Sequence, residues 1–285
     1  MSDTLRYVLQ NAMLLGAIQG IIFSGIPFLN KKYKSLGNFF LGMLLVTFSY
    51  NIIQNYLAVS NILSLNKIFN IVYIPLSSVF LVLYFLYVKY FLYPKHKIEQ
   101  QDYFLFIPFL FVFTESVLEK LGFAIGIFND TQHTLYFNYF RIIMEIFSVI
   151  YSFILIVCSY MLILKYEKTL STITSKKEKI RLQWIKTITI ILFCLCIYWP
   201  LPLYYEVNMK IATAEVYFYI LWVGLAFTIY ILGHIGIYQF GILQEQKKIR
   251  EYSTNQLIKI VSDEVGDVKN KNISEFENFI IQKKN

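Results

Sequence analysis

Charge is scarce in this chain. Only 15% of its 285 residues are Asp, Glu, Lys or Arg, where a soluble domain carries about 25%. With 57% hydrophobic residues, 23 Tyr and 26 Phe, apolar surface is too abundant for one water-soluble core. Cysteine is scarcer still: Cys158, Cys194 and Cys196 all fall inside apolar runs. On a helix Cys194 and Cys196 diverge by about 200°. That spacing excludes a compact metal site built on the pair, and the three read as buried free thiols. Paired-carboxylate, His–Glu metal and glycine-rich phosphate motifs are all missing, so no enzyme, metal or cofactor is expected. A small-residue cleavage site after a short apolar stretch is missing too, so the first run is expected to stay in the mature protein. The formal charge of +8 sits in short clusters between long apolar runs. That is the pattern of membrane orientation rather than of a nucleic-acid groove.

Crossing the hydrocarbon takes about 20 apolar residues in a helix. Seven runs qualify, at 8–29, 37–59, 69–92, 103–123, 139–164, 185–205 and 214–240. They are continuous, without apolar–polar alternation, so the expected fold is an all-α membrane protein, a bundle of seven transmembrane helices. Lys and Arg set its orientation. Sixteen follow the odd-numbered runs, the densest group being Lys165, Lys168, Lys176, Lys177, Lys179, Arg181 and Lys186. Only Arg6, Lys67, Lys120, Arg141 and Lys210 fall on the opposite side. The asymmetry predicts an outside N-terminus and a cytoplasmic C-terminus, with 1–240 as the transmembrane domain and 241–285 as a polar, partly helical tail. In that tail Leu257, Val261, Val265 and Val268 recur at helical spacing, and Ser274 and Glu277 are placed as a capping box.

Polar groups at membrane depth are costly and face protein or water. Asn51 and Asn55 are four apart with Gln54 beside them; Glu115 lies in the fourth run, and Arg141 and Glu145 are four apart in the fifth. All six fall in the outer halves of their runs. They read either as an outward-opening polar pocket for a small ligand or as interhelical hydrogen bonds that hold the bundle. Gly16 and Gly20 make a small-xxx-small pair, which close helix packing explains without ligand or dimer contact, and Gly233 and Gly236 flank His234 near the end of the last run. His234 reads as a structural histidine or as a titrating one. Proline recurs in or near the ends of runs and predicts kinks or frayed ends.

Several segments, in order, carry a resemblance. They are 15–20 (Leu-Gly-Ala-Ile-Gln-Gly), a basic turn and 38–42 (Asn-Phe-Phe-Leu-Gly), then 84–90 (Tyr-Phe-Leu-Tyr-Val-Lys-Tyr) and 106–109 (Phe-Ile-Pro-Phe). Next come 165–168 (Lys-Tyr-Glu-Lys), 175–179 (Ser-Lys-Lys-Glu-Lys), 183–186 (Gln-Trp-Ile-Lys) and 233–239 (Gly-His-Ile-Gly-Ile-Tyr-Gln). In order and spacing the chain resembles the membrane-embedded N-terminal region of Bacteroidetes-type AraC family regulators. The resemblance implies a sensor in the bacterial inner membrane that feeds a cytoplasmic DNA-binding domain of paired helix-turn-helix units. Here 45 residues follow Phe240, so the chain is expected to stop before that domain. The partners so implied are the bilayer, a small ligand and a second copy in a homodimer. DNA would be reached only through an absent C-terminal domain or a partner protein. The competing reading is a small transporter or channel-like protein, against which stands the absence of an internal repeat with matching interrupted helices. A membrane enzyme is disfavoured by the lack of convergent catalytic residues.

Overall fold

The computed structural model describes residues 3–29, 35–59, 74–76, 78–94, 96–126, 131–170, 176–208 and 211–234. The chain divides after Ile237, and all the described residues belong to the first unit, Met1–Ile237. The expected tail, 241–285, and Gly236 lie outside them.

Among the described residues the secondary structure is helical throughout. In chain order the helices are α1 (Asp3–Leu29), α2 (Leu36–Val59), α3 (Phe80–Leu92), α4 (Gln100–Phe104), α5 (Ile107–Ile125), α6 (Thr131–Leu170), α7 (Lys176–Tyr198), α8 (Pro200–Asn208) and α9 (Ile211–Gly233). Four stretches are long and apolar enough to cross a membrane: Thr4–Leu29, Leu36–Leu57, Ile142–Thr169 and Leu182–Tyr205. Phe80–Leu92 and Tyr217–Gly233 are shorter apolar stretches. In α5 the charges of Glu115, Glu119 and Lys120 break the apolar run.

Proline and glycine punctuate these helices as their chemistry demands. Pro108 and Pro200 stand in first turns, where a missing N–H costs nothing, and Pro94 follows the C-terminal residue of α3. Gly126 ends α5 at φ 78°, a left-handed position that suits glycine. The largest difference from the sequence reading is in the third run. Residues 69–92 read as one continuous helix; among the described residues of that run 74–76, around Pro75, are non-helical and the helix begins at Phe80.

Packing fixes the relative directions of the helices. Gly16 lies against Ala226, Gly20 against Ile229 and Gly233 against Phe23, and Gln10 Nε2 donates to Tyr219 OH at 3.0 Å. The offset along the chain is nearly constant, so α1 and α9 run parallel. A methyl group on Gly16 would come within 2.5 Å of the Ala226 methyl; small residues let these backbones approach closely. Elsewhere the neighbours are antiparallel, apart from α3 and α6, which run in the same direction and meet at their C-terminal ends through Tyr93 and Tyr166. Gly42 of α2 meets Phe28 of α1, while Phe48 and Phe40 of α2 meet Phe80 and Tyr90 of α3. Tyr84 and Phe91 of α3 reach Thr189 and Trp184 of α7. Phe153 of α6 packs on Phe193 of α7, and Leu195 of α7 on Gly224 of α9. Tyr151 OH of α6 donates to the Leu105 carbonyl, just before α5, at 2.8 Å, and Phe111 of α5 meets Phe140. Within this assembly α3 is the central helix, with eleven of its thirteen residues buried.

Candidate functional site at the two ends of the third apolar run

The site is easiest to build outward from α3, because each end of this central helix needs polar partners. Before its first turn the chain passes through residues 74–76, where no helical ladder satisfies the peptide groups. An unsatisfied peptide group away from water costs several kcal/mol, on the order of 2–7. Gln54 of α2, 3% exposed, meets this need. Its carboxamide oxygen accepts from the Ile74 N–H at 2.8 Å and from Tyr50 OH at 3.1 Å, and its nitrogen donates to the Ile74 carbonyl at 3.3 Å. The amide orientation is the one that satisfies all three partners. Gln54 thus does for one peptide what a neighbouring strand would do.

Asn51 and Asn55 flank this residue and are half-buried. Asn55 Nδ2 donates to the Asn51 backbone carbonyl at 2.9 Å and to Asn51 Oδ1 at 3.1 Å. The structure therefore brings Asn51, Gln54 and Asn55 together on α2, with partners supplied by α2 itself and by Ile74.

Glu115 and Glu145 belong to another part of the bundle, on α5 and α6, and both are half-buried. Glu115 Oε1 is enclosed and accepts no hydrogen bond. Glu145 stands opposite the first half of α5. The Arg141 side chain lies outside the described residues. Sequence reading left the six residues as either a pocket or interhelical hydrogen bonds; the structure places an amide cluster on α2 and carboxylates on α5 and α6.

At the other end of α3 stands a cluster that the sequence reading did not pick out. Among the described residues Asp102 is the only charged one that is buried, at 3% exposed. Lys89 Nζ donates to Asp102 Oδ1 at 2.8 Å and to Glu99 Oε2 at 3.1 Å. Tyr90 OH donates to Asp102 Oδ2, and the Glu99 N–H donates to the same oxygen at 3.1 Å, as in a capping box for α4. Burial alone would raise the Asp102 carboxyl, but these donors and the Lys89 charge together hold it below the usual carboxylate range. The sequence signal was the Glu99–Asp102 spacing, ten residues after Lys89. Beside this cluster Lys186 of α7 pairs with Glu167 of α6, and Tyr93 packs edge-on against Tyr166.

Tyrosines at 84, 87 and 90 run along α3, all fully buried. Thr189 Oγ1 donates to the Ile185 carbonyl at 2.8 Å, so the Tyr84 hydroxyl, 2.7 Å away, donates to Thr189. This bond ties the middle of α3 to α7.

The other singled-out residues have plain surroundings. Gly16, Gly20 and Gly233 are buried against neighbouring helices, and His234 stacks on Tyr230 one turn earlier. Cys158 and Cys194 are exposed and Cys196 is buried. No three His, Cys, Asp or Glu side chains among the described residues group to hold a metal ion. No protein-family model, curated protein or solved structure matches the chain.

Proposed function

We propose that the chain is a seven-pass protein of the bacterial inner membrane, N-terminus outside, that acts as the signal-input module of an AraC-type transcriptional regulator. The observation that carries the seven-pass part is the parallel α1–α9 seam. The pairs α1–α2, α2–α3, α5–α6, α6–α7 and α7–α9 are antiparallel and α3 runs with α6, so the long helices alternate in direction along the chain, and an odd number of passes leaves the first and last parallel. Lysine placement supports the orientation: Lys89, Lys165, Lys168 and Lys186 sit at the Asp102 end, which becomes the cytoplasmic end, while Gln54 and Asn51 sit towards the outside. In this reading a small ligand at the outer polar groups, or a change in the membrane, favours one packing of the bundle over another. The output passes through the C-terminal segment to a DNA-binding domain or a partner protein.

Two measurements test this reading. Single cysteines at positions 177 and 130, in a background lacking native thiols, are labelled with a membrane-impermeant reagent. Labelling of 177 from outside intact cells overturns the orientation. In the second, a related regulator's DNA-binding domain is appended after Asn285. Promoter-specific, membrane-tethered binding is expected from the fusion and no specific footprint from the unfused chain. Substitution of Asn51, Asn55 or Glu115 is expected to change reporter output with insertion intact; indifference to all three removes the sensing role.

A small transporter or channel-like protein is the second reading, and the interrupted backbone before α3 is the observation that favours it. Broken helices at membrane depth are where transporters bind their substrates. Solute flux across liposomes reconstituted with the chain would select this reading.

A further inference from the structure

The two ends of the third run are held by bonds of different kinds. Towards Asp102 the bonds are charge-assisted, four donors and acceptors deep, and one partner is fully buried. Charge-assisted hydrogen bonds are roughly twice as strong as neutral ones. Towards Gln54 the bonds are neutral amide pairs, one of them 3.3 Å long, and they hold a stretch with no helical ladder of its own. Ser78, in the turn before α3, is 2% exposed, and its Oγ makes no hydrogen bond. Val79 caps α3 without a side-chain hydrogen bond and gives its N–H to the Leu76 carbonyl at 3.0 Å. The described residues 74–76, 78 and 79 thus have few bonds of their own, and Gln54 supplies both bonds to the Ile74 N–H and carbonyl.

We propose that residues 74–76 form a releasable strap, latched by the Gln54 carboxamide on the Ile74 N–H and carbonyl, while the Asp102 cluster fixes the opposite end of α3. Opening the latch needs no ion to be moved and no helix to be unwound, because the strap is already non-helical. The two states differ in which partner satisfies the Ile74 N–H and carbonyl: Gln54 when latched, another polar group or water when open. Elements that move in switching are drawn from the least stable parts of a structure. By that criterion the strap, rather than the clasped end, is the moving part of this bundle. The proposal concerns local stability and holds whether the chain senses or transports.

Hydrogen–deuterium exchange of the full chain in detergent or nanodiscs tests it, with peptides covering 74–76 and 89–102 followed separately. Gln54→Leu keeps an apolar side chain of similar reach and removes both bonds to Ile74. It is expected to speed exchange at 74–76 by about tenfold, the equivalent of about 1.4 kcal/mol of lost hydrogen bonding, with 89–102 unchanged. Asp102→Asn is expected to do the reverse, speeding exchange at 89–102 with 74–76 unchanged. Gln54→Glu, which keeps an acceptor for the Ile74 N–H, guards against a folding defect in the leucine variant and should fall between it and the parent. Equal exchange at 74–76 in parent and leucine variant overturns the proposal. So does faster exchange in both regions from either single substitution, because the ends are then one cooperative unit.

Discussion

Helices α3 and α5 follow one another in the chain and live in opposite surroundings. In α3 the side chains meet protein on every side, and only Phe85 and Lys89 are less than fully buried. In α5 Ile107, Leu110, Phe111, Val117, Leu118 and Leu121 are exposed. A soluble protein would not tolerate that pattern in a regular helix, since exposed apolar stripes of this kind mark association or membrane contact. Hydropathy alone does not separate the two helices; what separates them is who their neighbours are. For a helix in lipid, moving a leucine from hydrocarbon to protein interior gains little by transfer, so packing and hydrogen bonding decide which helix becomes central. The Tyr84 and Tyr90 phenols of α3 and its anchoring cluster are what protein neighbours can satisfy and lipid cannot.

Substitutions that act unequally on the two helices sharpen this comparison. The largest effect is expected at Lys89. Lys89→Ala leaves the buried Asp102 carboxylate without its cation; a fully buried broken pair costs about 3–5 kcal/mol. Lys89 keeps 17% of its side chain exposed, so about 2–3 kcal/mol is expected in reversible unfolding in detergent. The pH dependence carries a sign. A carboxyl held below its usual range contributes stability that is fully present above the unfolded-state value and is lost as pH falls through the lower folded one. The difference between parent and Asp102→Asn should therefore be constant from pH 8 to about pH 5 and shrink in more acidic solution. A shrinking difference near neutral pH would contradict the assignment.

Next in size is Leu86→Ala in the centre of α3, where the side chain is fully buried. The cavity left behind is expected to cost about 2 kcal/mol, the low end for such truncations, because lipid removes most of the transfer contribution. Tyr84→Phe deletes the bond to Thr189 and the longer one, 3.5 Å, to the Ile185 carbonyl, and is expected to cost about 0.6 kcal/mol, typical of a hydrogen bond between membrane helices. The smallest effect belongs to α5. Leu118, 60% exposed, should tolerate alanine to within about 0.5 kcal/mol. If Leu118→Ala proves as damaging as Leu86→Ala, α5 has a protein neighbour that covers it, and the contrast fails.

Most of the helical content was legible in the sequence, because continuous apolar runs leave the backbone no partner but itself. The run at 37–59 maps closely onto α2, and 8–29 onto α1 with a few residues added at its start. What hydropathy could not register was where helix stops inside an apolar run. Ile74 and Leu76 are as apolar as the residues of α3, and only Pro75 marked a break there, one that is held by Gln54, twenty residues away in the chain. The six polar residues could be grouped by depth alone, for a related reason. Depth in the membrane can be read from position along a run, but which helices are neighbours cannot. Asp102 escaped notice because a carboxylate between two apolar runs reads as solvated until the fold covers it.

The seam between α1 and α9 also orders events in time. Gln10 and the Tyr219 it bonds are 209 residues apart, and at about 5–20 residues per second synthesis takes on the order of 10–40 s to bring the second within reach of the first. For that interval the glycine face of α1 has no α9 to pack against. Helix α9 closes this seam, so a ribosome that stalls before Gly224 leaves α1 unmatched along its most closely packed side.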